Sequence, residues 1–431
     1  MDKEVLKKII YDQHQVIQDT IIVDRDVELE ANANYVLVGL RRVGKTTLLY
    51  KRVQDLIKSG VEWNQIIYIN FDDERLIDFK LNDFDEILLV AEEMSSKKHY
   101  FYFDEIQNID DWEKFAIRVA NQGYKVDITG SNAKMLSNEV AAKLGGRYIM
   151  KEILPYSFKE YLRANNLNND AHSTKEIAKI NNILEQYFIY GGFPASIDFK
   201  NKREYVSSVY QKVLYNDIIT HNKVRSENGM KLLIKKISES VMQDISYTRL
   251  QNIITGIGYK ISKDVIIDYC GYIKDSFLLF TLQNYFASFV DKSSNPKYYF
   301  RDNGILNLFG EAKRTALLEN IVAINLYRYN YEMYYLKGNK VDIDFYLPSN
   351  KTLIQVAYSL SDSLTFDREV SNLINYANNK EEELKLIIVT YDEKRIIEIN
   401  NKKIYVVPLK EFLLNNWTGS KKVDSLEKEP T

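Results

Sequence analysis

The chain has 431 residues, 45% of them apolar and 27% charged, with a formal net charge of −2 and a single cysteine, Cys270. That length suits on the order of two to four domains with cores of their own, and the near-neutral balance excludes a global attraction to nucleic acid, so any such contact has to come from a local patch. One cysteine cannot form an internal disulfide, which fits a reducing cytoplasm. Neither a basic and apolar leader nor an apolar run of membrane length is seen, so no membrane partner is expected.

In chain order, the first informative stretch is YVLVGLRRVGKTTLLYKRV, residues 35–53. An apolar strand runs into Gly39-x4-Gly44-Lys45-Thr46-Thr47, and helical spacing resumes at Leu48. This is a Walker A loop in its strand–loop–helix setting. Glycines let backbone N–H groups turn inward around phosphates, and the helix N-terminus adds partial positive charge. Lys45 is expected at the β- and γ-phosphates of ATP and Thr46 at Mg2+. Arg41 and Arg42 lie within the loop, either supplementing Lys45 or serving a solvated or interdomain role.

The elements that follow alternate. QIIYINFDD (65–73) reads as a strand and FDEILLVAEEM (84–94) as an amphipathic helix. HYFYFDEIQNI (99–109) is a strand ending in Asp104 and Glu105, a Walker B pair. Asp104 would reach the metal through its water shell, and Glu105 would polarise the attacking water. A helix at 112–122 and strands at 124–132 and 147–155 complete an α/β pattern, which implies a parallel sheet covered on both faces. Ligands of such sheets gather at the C-terminal strand ends. That rim carries Gly39, Asn70, Asp104 and Ser131, with Thr129, Ser131 and Asn132 as either γ-phosphate sensors or a plain strand-end turn.

Gly39–Thr47, YINFDD, FDEIQNI, TGSNAKML, GGRYIMKEILPYSFKEYL and YGGFP together resemble the AAA-type P-loop ATPases of bacteria and archaea whose C-terminal half is a domain of unknown function. The resemblance spans nearly the whole chain. It implies an ATPase core at 1–155, a helical lid at 156–222, a winged-helix segment at 223–302, a domain of restriction-endonuclease type at 303–415 and a polar tail at 416–431. Arg147 matches the family's Gly-Arg motif, as an arginine finger, a cis phosphate sensor or a structural ion-pair partner. Such proteins often work as rings; a ring and a monomer both stay open.

Past the lid, YGGFP (190–194) reads as a packing turn and KVRSENG (223–229) as a linker. Ser246 and Ser262 cap two helices joined by a glycine-bearing turn, the pattern of a helix-turn-helix. FLLFTLQNY and KYYFRDNGI would supply the wing. Eight basic residues stand against three acids between Lys223 and Lys263, the footprint of a DNA-contacting module. A packing or oligomerisation module is the alternative, with a protein as partner.

The C-terminal hairpin KVDIDFYLPSNKTLIQVAYS (340–359) resembles the central hairpin of PD-(D/E)XK nucleases. That likeness puts Glu319, Asp342 and Asp344 in metal-binding positions. Its second strand departs from the pattern: Gln355 stands where a carboxylate would hold Mg2+, and Ala357 where a cation would be needed. Lys337 or Lys351 would have to reach in from a nearby loop. The site therefore reads as vestigial, kept for binding or regulation. His14, His99, His172 and His221 show no metal spacing. The expected activity is ATP hydrolysis driving a change in the C-terminal half; the rival readings are a nucleotide-gated DNA or protein adaptor and an ATP-regulated nuclease.

Overall fold

A computed structural model describes residues 1–136, 138–168, 173–310, 313–338 and 341–417, so His172 and nearly all of the expected tail lie outside the described residues. The fold is mixed α/β, in two compact units. Met1–Pro155, with Asp275–Phe277, form the first. Its sheet holds β1 (Asn34–Val38), β2 (Ile66–Asn70), β3 (Tyr100–Asp104), β4 (Lys125–Gly130) and β5 (Tyr148–Glu152). The order is β2-β3-β4-β1-β5, and every pairing is parallel. Parallel strands buried on both faces need unbroken apolar runs, which YVLV and IIYI supply; all eight of these residues are buried. The helix Lys3–Asp19 packs on β2 and on the helices Lys45–Lys58 and Phe84–Met94. Phe84 stacks on Phe115 at 4.1 Å and meets Phe71, Phe79 and Phe103 edge-on.

Tyr156–Lys274 and Leu278–Thr431 form the second unit. Its eight-stranded mixed sheet contains β6 (Leu279–Asn284), β7 (Lys297–Phe300), β8 (Tyr334–Gly338), β9 (Val341–Leu347), β10 (Thr352–Val356), β11 (Lys385–Thr390), β12 (Arg395–Ile399) and β13 (Lys402–Pro408). The order is β12-β13-β11-β10-β9-β8-β6-β7. From the helix Arg314–Arg328 the chain runs through β8, β9, β10 and the helix Ser363–Asn378 into β11. Three further helices, Glu227–Glu239, Tyr247–Gly256 and Lys263–Asp275, precede β6.

The strands expected to form a separate wing pair differently. β6 and β7 make an antiparallel hairpin, but β6 also runs parallel to β8 through Gln283 and Asn284. A boundary at 302 would cut this sheet. The physical reason is the open edge of β8, whose N–H and C=O groups need a neighbour. The YGGFP turn packs against Asp302, whose carboxylate accepts from Gly192 N at 2.7 Å. At Gly191, φ is 76° and a Cβ would overlap that carboxylate, so only glycine fits. Among the described residues no helix is long and apolar enough to cross a membrane.

Candidate functional site

The loop between β1 and the helix Lys45–Lys58 is shaped by Gly39 (φ 146°) and Gly44 (φ 96°). A Cβ on Gly39 would overlap the carbonyl oxygen of Ile153. Lys45 is buried, and its Nζ donates to the carbonyls of Gly39 at 2.9 Å and Leu40 at 3.1 Å. Arg42, at φ 64°, is exposed; Arg41 pairs with Asp72 at 3.8 Å. Thr47, half-buried, follows on the first helical turn.

Three strands converge on the next group. Thr46 Oγ1 donates to Asp104 Oδ2 at 2.7 Å. Asp104, at the end of β3, also accepts the hydroxyls of Tyr68 from β2, at 3.1 Å, and of Thr129 from β4. Burial, and then Glu105, push its carboxyl up to about 6. Glu105 sits in the left-handed region at φ 52°, and its N–H donates to Thr129 Oγ1 at 3.0 Å. Its carboxylate accepts from Gln107 Nε2, which also reaches Ser131 Oγ at 3.3 Å. Burial raises Glu105, but Lys45, Gln107 and Arg41 outweigh it and hold the carboxyl below its ordinary range. Asn132 Oδ1 accepts from Lys134 N at 2.8 Å.

Lys45, Thr46, Asp104, Glu105, Thr129 and Ser131 are thus gathered at one rim. Arg147 is not. It precedes β5, whose Tyr148 pairs with Asn34, so it stands at the N-terminal rim, a strand length of about 16 Å from the loop. Its Nε donates to Asn121 Oδ1 at 2.5 Å. This corrects the cis-sensor expectation: parallel strands run the same way, so the residue before β5 and the loop after β1 lie at opposite rims. Tyr68 and Gln107 were missed by sequence reasoning. Tyr68 lies inside an apolar strand and carries no local mark, whereas Gln107 two residues after Glu105 was a readable signal.

A second constellation lies in the other unit. Glu319, on the helix Arg314–Arg328, and Asp344, on β9, both receive the ammonium of Lys297 from β7, at 3.5 and 3.3 Å. Gln355 accepts from Asp344 N at 2.8 Å and donates to Asp342 O at 2.9 Å and Glu369 Oε2 at 2.7 Å. The Asp342 side chain is exposed. Burial followed by Asp344 pushes both Glu319 and Glu369 up to about 7. Neither expected loop lysine reaches in: Lys337 pairs with Asp244, and Lys351 with Glu382 at 3.1 Å. Lys297 and Glu369 were missed. Their signal was a lone charge in an apolar stretch, KYYF and EVSNLI.

A family model described as an AAA domain matches residues 31–162, and one for a domain of unknown function (DUF8612) matches 181–315. An uncharacterized protein of Methanocaldococcus jannaschii is 32% identical over 433 residues, covering 96% of each chain. The chain belongs to this family of AAA-domain proteins. A second member, an uncharacterized protein of Haemophilus influenzae, is 30% identical over 86% of this chain and 92% of its own. Among solved structures, the Walker-type ATPase of Pyrococcus abyssi aligns with 70% of this AAA-domain chain and 94% of its own, at 14% identity and a TM-score of 0.40.

Proposed function

We propose that the chain binds ATP with Mg2+ at the Gly39–Thr47 loop and hydrolyses it, coupling nucleotide state to its C-terminal half. The observation that carries this reading is the chain of hydrogen bonds Thr46–Asp104–Thr129–Glu105, which lines up a hydroxyl, a buried acid and a second acid beside Lys45. The Thr46 and Asp104 oxygens, 2.7 Å apart, are the hard donors Mg2+ takes. Thr46 directly, and Asp104 through water, would hold the ion, which offsets phosphate charge when bound.

Lys45 Nζ donates to the carbonyls of Gly39 and Leu40, and it would exchange these contacts for the β- and γ-phosphates. Backbone N–H groups of Gly39 to Thr47, with Arg42 at the lip, would cradle the phosphate chain. Glu105 would accept a proton from water as its oxygen bonds the γ-phosphorus and the bond to the bridging oxygen breaks, releasing ADP and phosphate. Gln107 and Ser131 would hold Glu105 in place and report the γ-phosphate.

A DNA partner is supported by Arg249, Lys260 and Lys263, which are exposed and engage no acid among the described residues. The adaptor alternative with negligible turnover is favoured by the Gln107 contact, which occupies the Glu105 carboxylate. Phosphate release with and without duplex DNA separates the two. Turnover that Glu105→Gln abolishes supports the enzyme, and tight ATP binding without turnover supports the adaptor.

A further inference from the structure

The nuclease-like reading of the second unit implies a divalent cation between Glu319 and Asp344. The residues there do not fit one. Mg2+ asks for oxygen lone pairs at about 2.1 Å in octahedral array, and the oxygens of this cluster that face one another already accept from N–H and O–H donors. Glu319 Oε1 accepts Tyr299 Oη at 2.7 Å, and Asp344 Oδ2 accepts the Val356 N–H at 3.0 Å. The Gln355 carbonyl is taken by the Asp344 N–H, and Glu369 by Gln355 and by Arg368 at 2.6 Å. Among the described residues no group of three or more His, Cys, Asp or Glu is placed to hold a metal ion.

What fills the middle is a side chain of the protein itself. Lys297 is 2% exposed, with its Nζ between Glu319 and Asp344 and 5.4 Å above the Tyr335 ring. An ammonium so deeply buried needs counter-charges at hand, and its two carboxylates come from two different elements, the helix Arg314–Arg328 and β9. The strand that carries it is fixed by the pairing of β6 with β7.

We propose that Lys297 is the resident cation of this site: its ammonium takes the place between Glu319 and Asp344 that a divalent ion would occupy. The C-terminal unit, as folded, therefore binds no divalent cation there and cleaves no phosphodiester by a metal-dependent route. Removing the lysine should open the place. In Lys297→Met the stem is kept and the charge is lost, leaving Glu319 and Asp344 facing each other with Glu369 close by.

The test is Mn2+ titration of the full, nucleotide-free chain, read by electron paramagnetic resonance of the free ion. Wild type and Glu319→Gln should bind Mn2+ alike, with no site that the substitution removes. Lys297→Met should gain one site per chain, at least tenfold tighter than any in the wild type, and Lys297→Met/Glu319→Gln should lose it. A wild-type Mn2+ site that disappears in Glu319→Gln overturns the proposal, as does a folded Lys297→Met that gains nothing. Should Lys297→Met fail to fold, the comparison of wild type with Glu319→Gln still decides it. Manganese-dependent cleavage of plasmid by wild type, lost in Asp344→Ala, would also overturn it.

Discussion

Each unit of the protein gathers a lysine, two or more acids and a hydroxyl, and the difference lies in what the lysine holds. Lys45 donates to the backbone carbonyls of Gly39 and Leu40 and acts on Glu105 through its charge. Lys297 is wedged between the buried Glu319 and the half-buried Asp344, and its departure would leave both uncompensated. The acids differ in the same sense. Asp104 accepts from three hydroxyls that a bound ion could reorganise, whereas Asp344 is pinned by the backbone N–H of Val356.

The comparison can be broken first at Lys45. Lys45→Ala should abolish nucleotide binding with unchanged folding, read by fluorescence of a labelled ATP; retained affinity would remove its phosphate role. Next, Glu105→Gln should bind ATP normally while turnover drops by about 10²–10⁴, the range for a positioned general base. Lys297→Ala should have the opposite character, leaving nucleotide affinity alone and costing about 3–5 kcal/mol in urea unfolding, as for a broken buried pair. A loss below about 1 kcal/mol would show that the pair is not a strong constraint.

A buried acid held by backbone N–H groups sharpens the contrast. Burial pushes Asp302 up to about 6, against backbone N–H bonds from Gly192, Gly304 and Ile305. Since the unfolded carboxyl titrates near its ordinary value of 3.8, stability from this group is complete below that pH. It is lost as pH rises to about 6, by roughly 3 kcal/mol at 1.4 kcal/mol per unit. Unfolding stability across pH 4 to 7 should fall less steeply in Asp302→Asn than in wild type, by that amount, since Asp104, Glu319 and Glu369 contribute slopes of the same sign in both. The smallest effect is expected for Thr129→Val, about 1–3 kcal/mol from unpairing the Glu105 N–H, measured by thermal unfolding, with turnover falling alongside.

The phosphate loop was legible because its chemistry is written in nine consecutive residues, Gly39 to Thr47, and a strand that must be buried on both faces announces itself in YVLV. Asp104 and Glu105 close an apolar run in the same local way. Gln355 and Ala357 read as departures from the hairpin pattern, but the charges that meet around Gln355 and Asp344 come from elsewhere: Glu369 from the next helix and Lys297 from a strand far upstream. No periodicity encodes that, because pairing of β6 with β8 depends on which edge is open after β9 and β10 have formed. Arg147 misled for a related reason. Its motif is local, but the rim it occupies is set by strand direction.

The pairing of β6 with β8 also fixes where this chain can be divided. A fragment starting at residue 303 would bare the β8 edge as a template for other chains, and would keep Glu319, Asp344 and Glu369 while discarding the lysine that neutralises them. One starting near residue 223 would retain both the covering strand and the charge. A piece of the C-terminal half that keeps this edge covered and these acids neutralised thus has to include β6 and β7, and that hairpin is expected to unfold together with the Lys297 cluster.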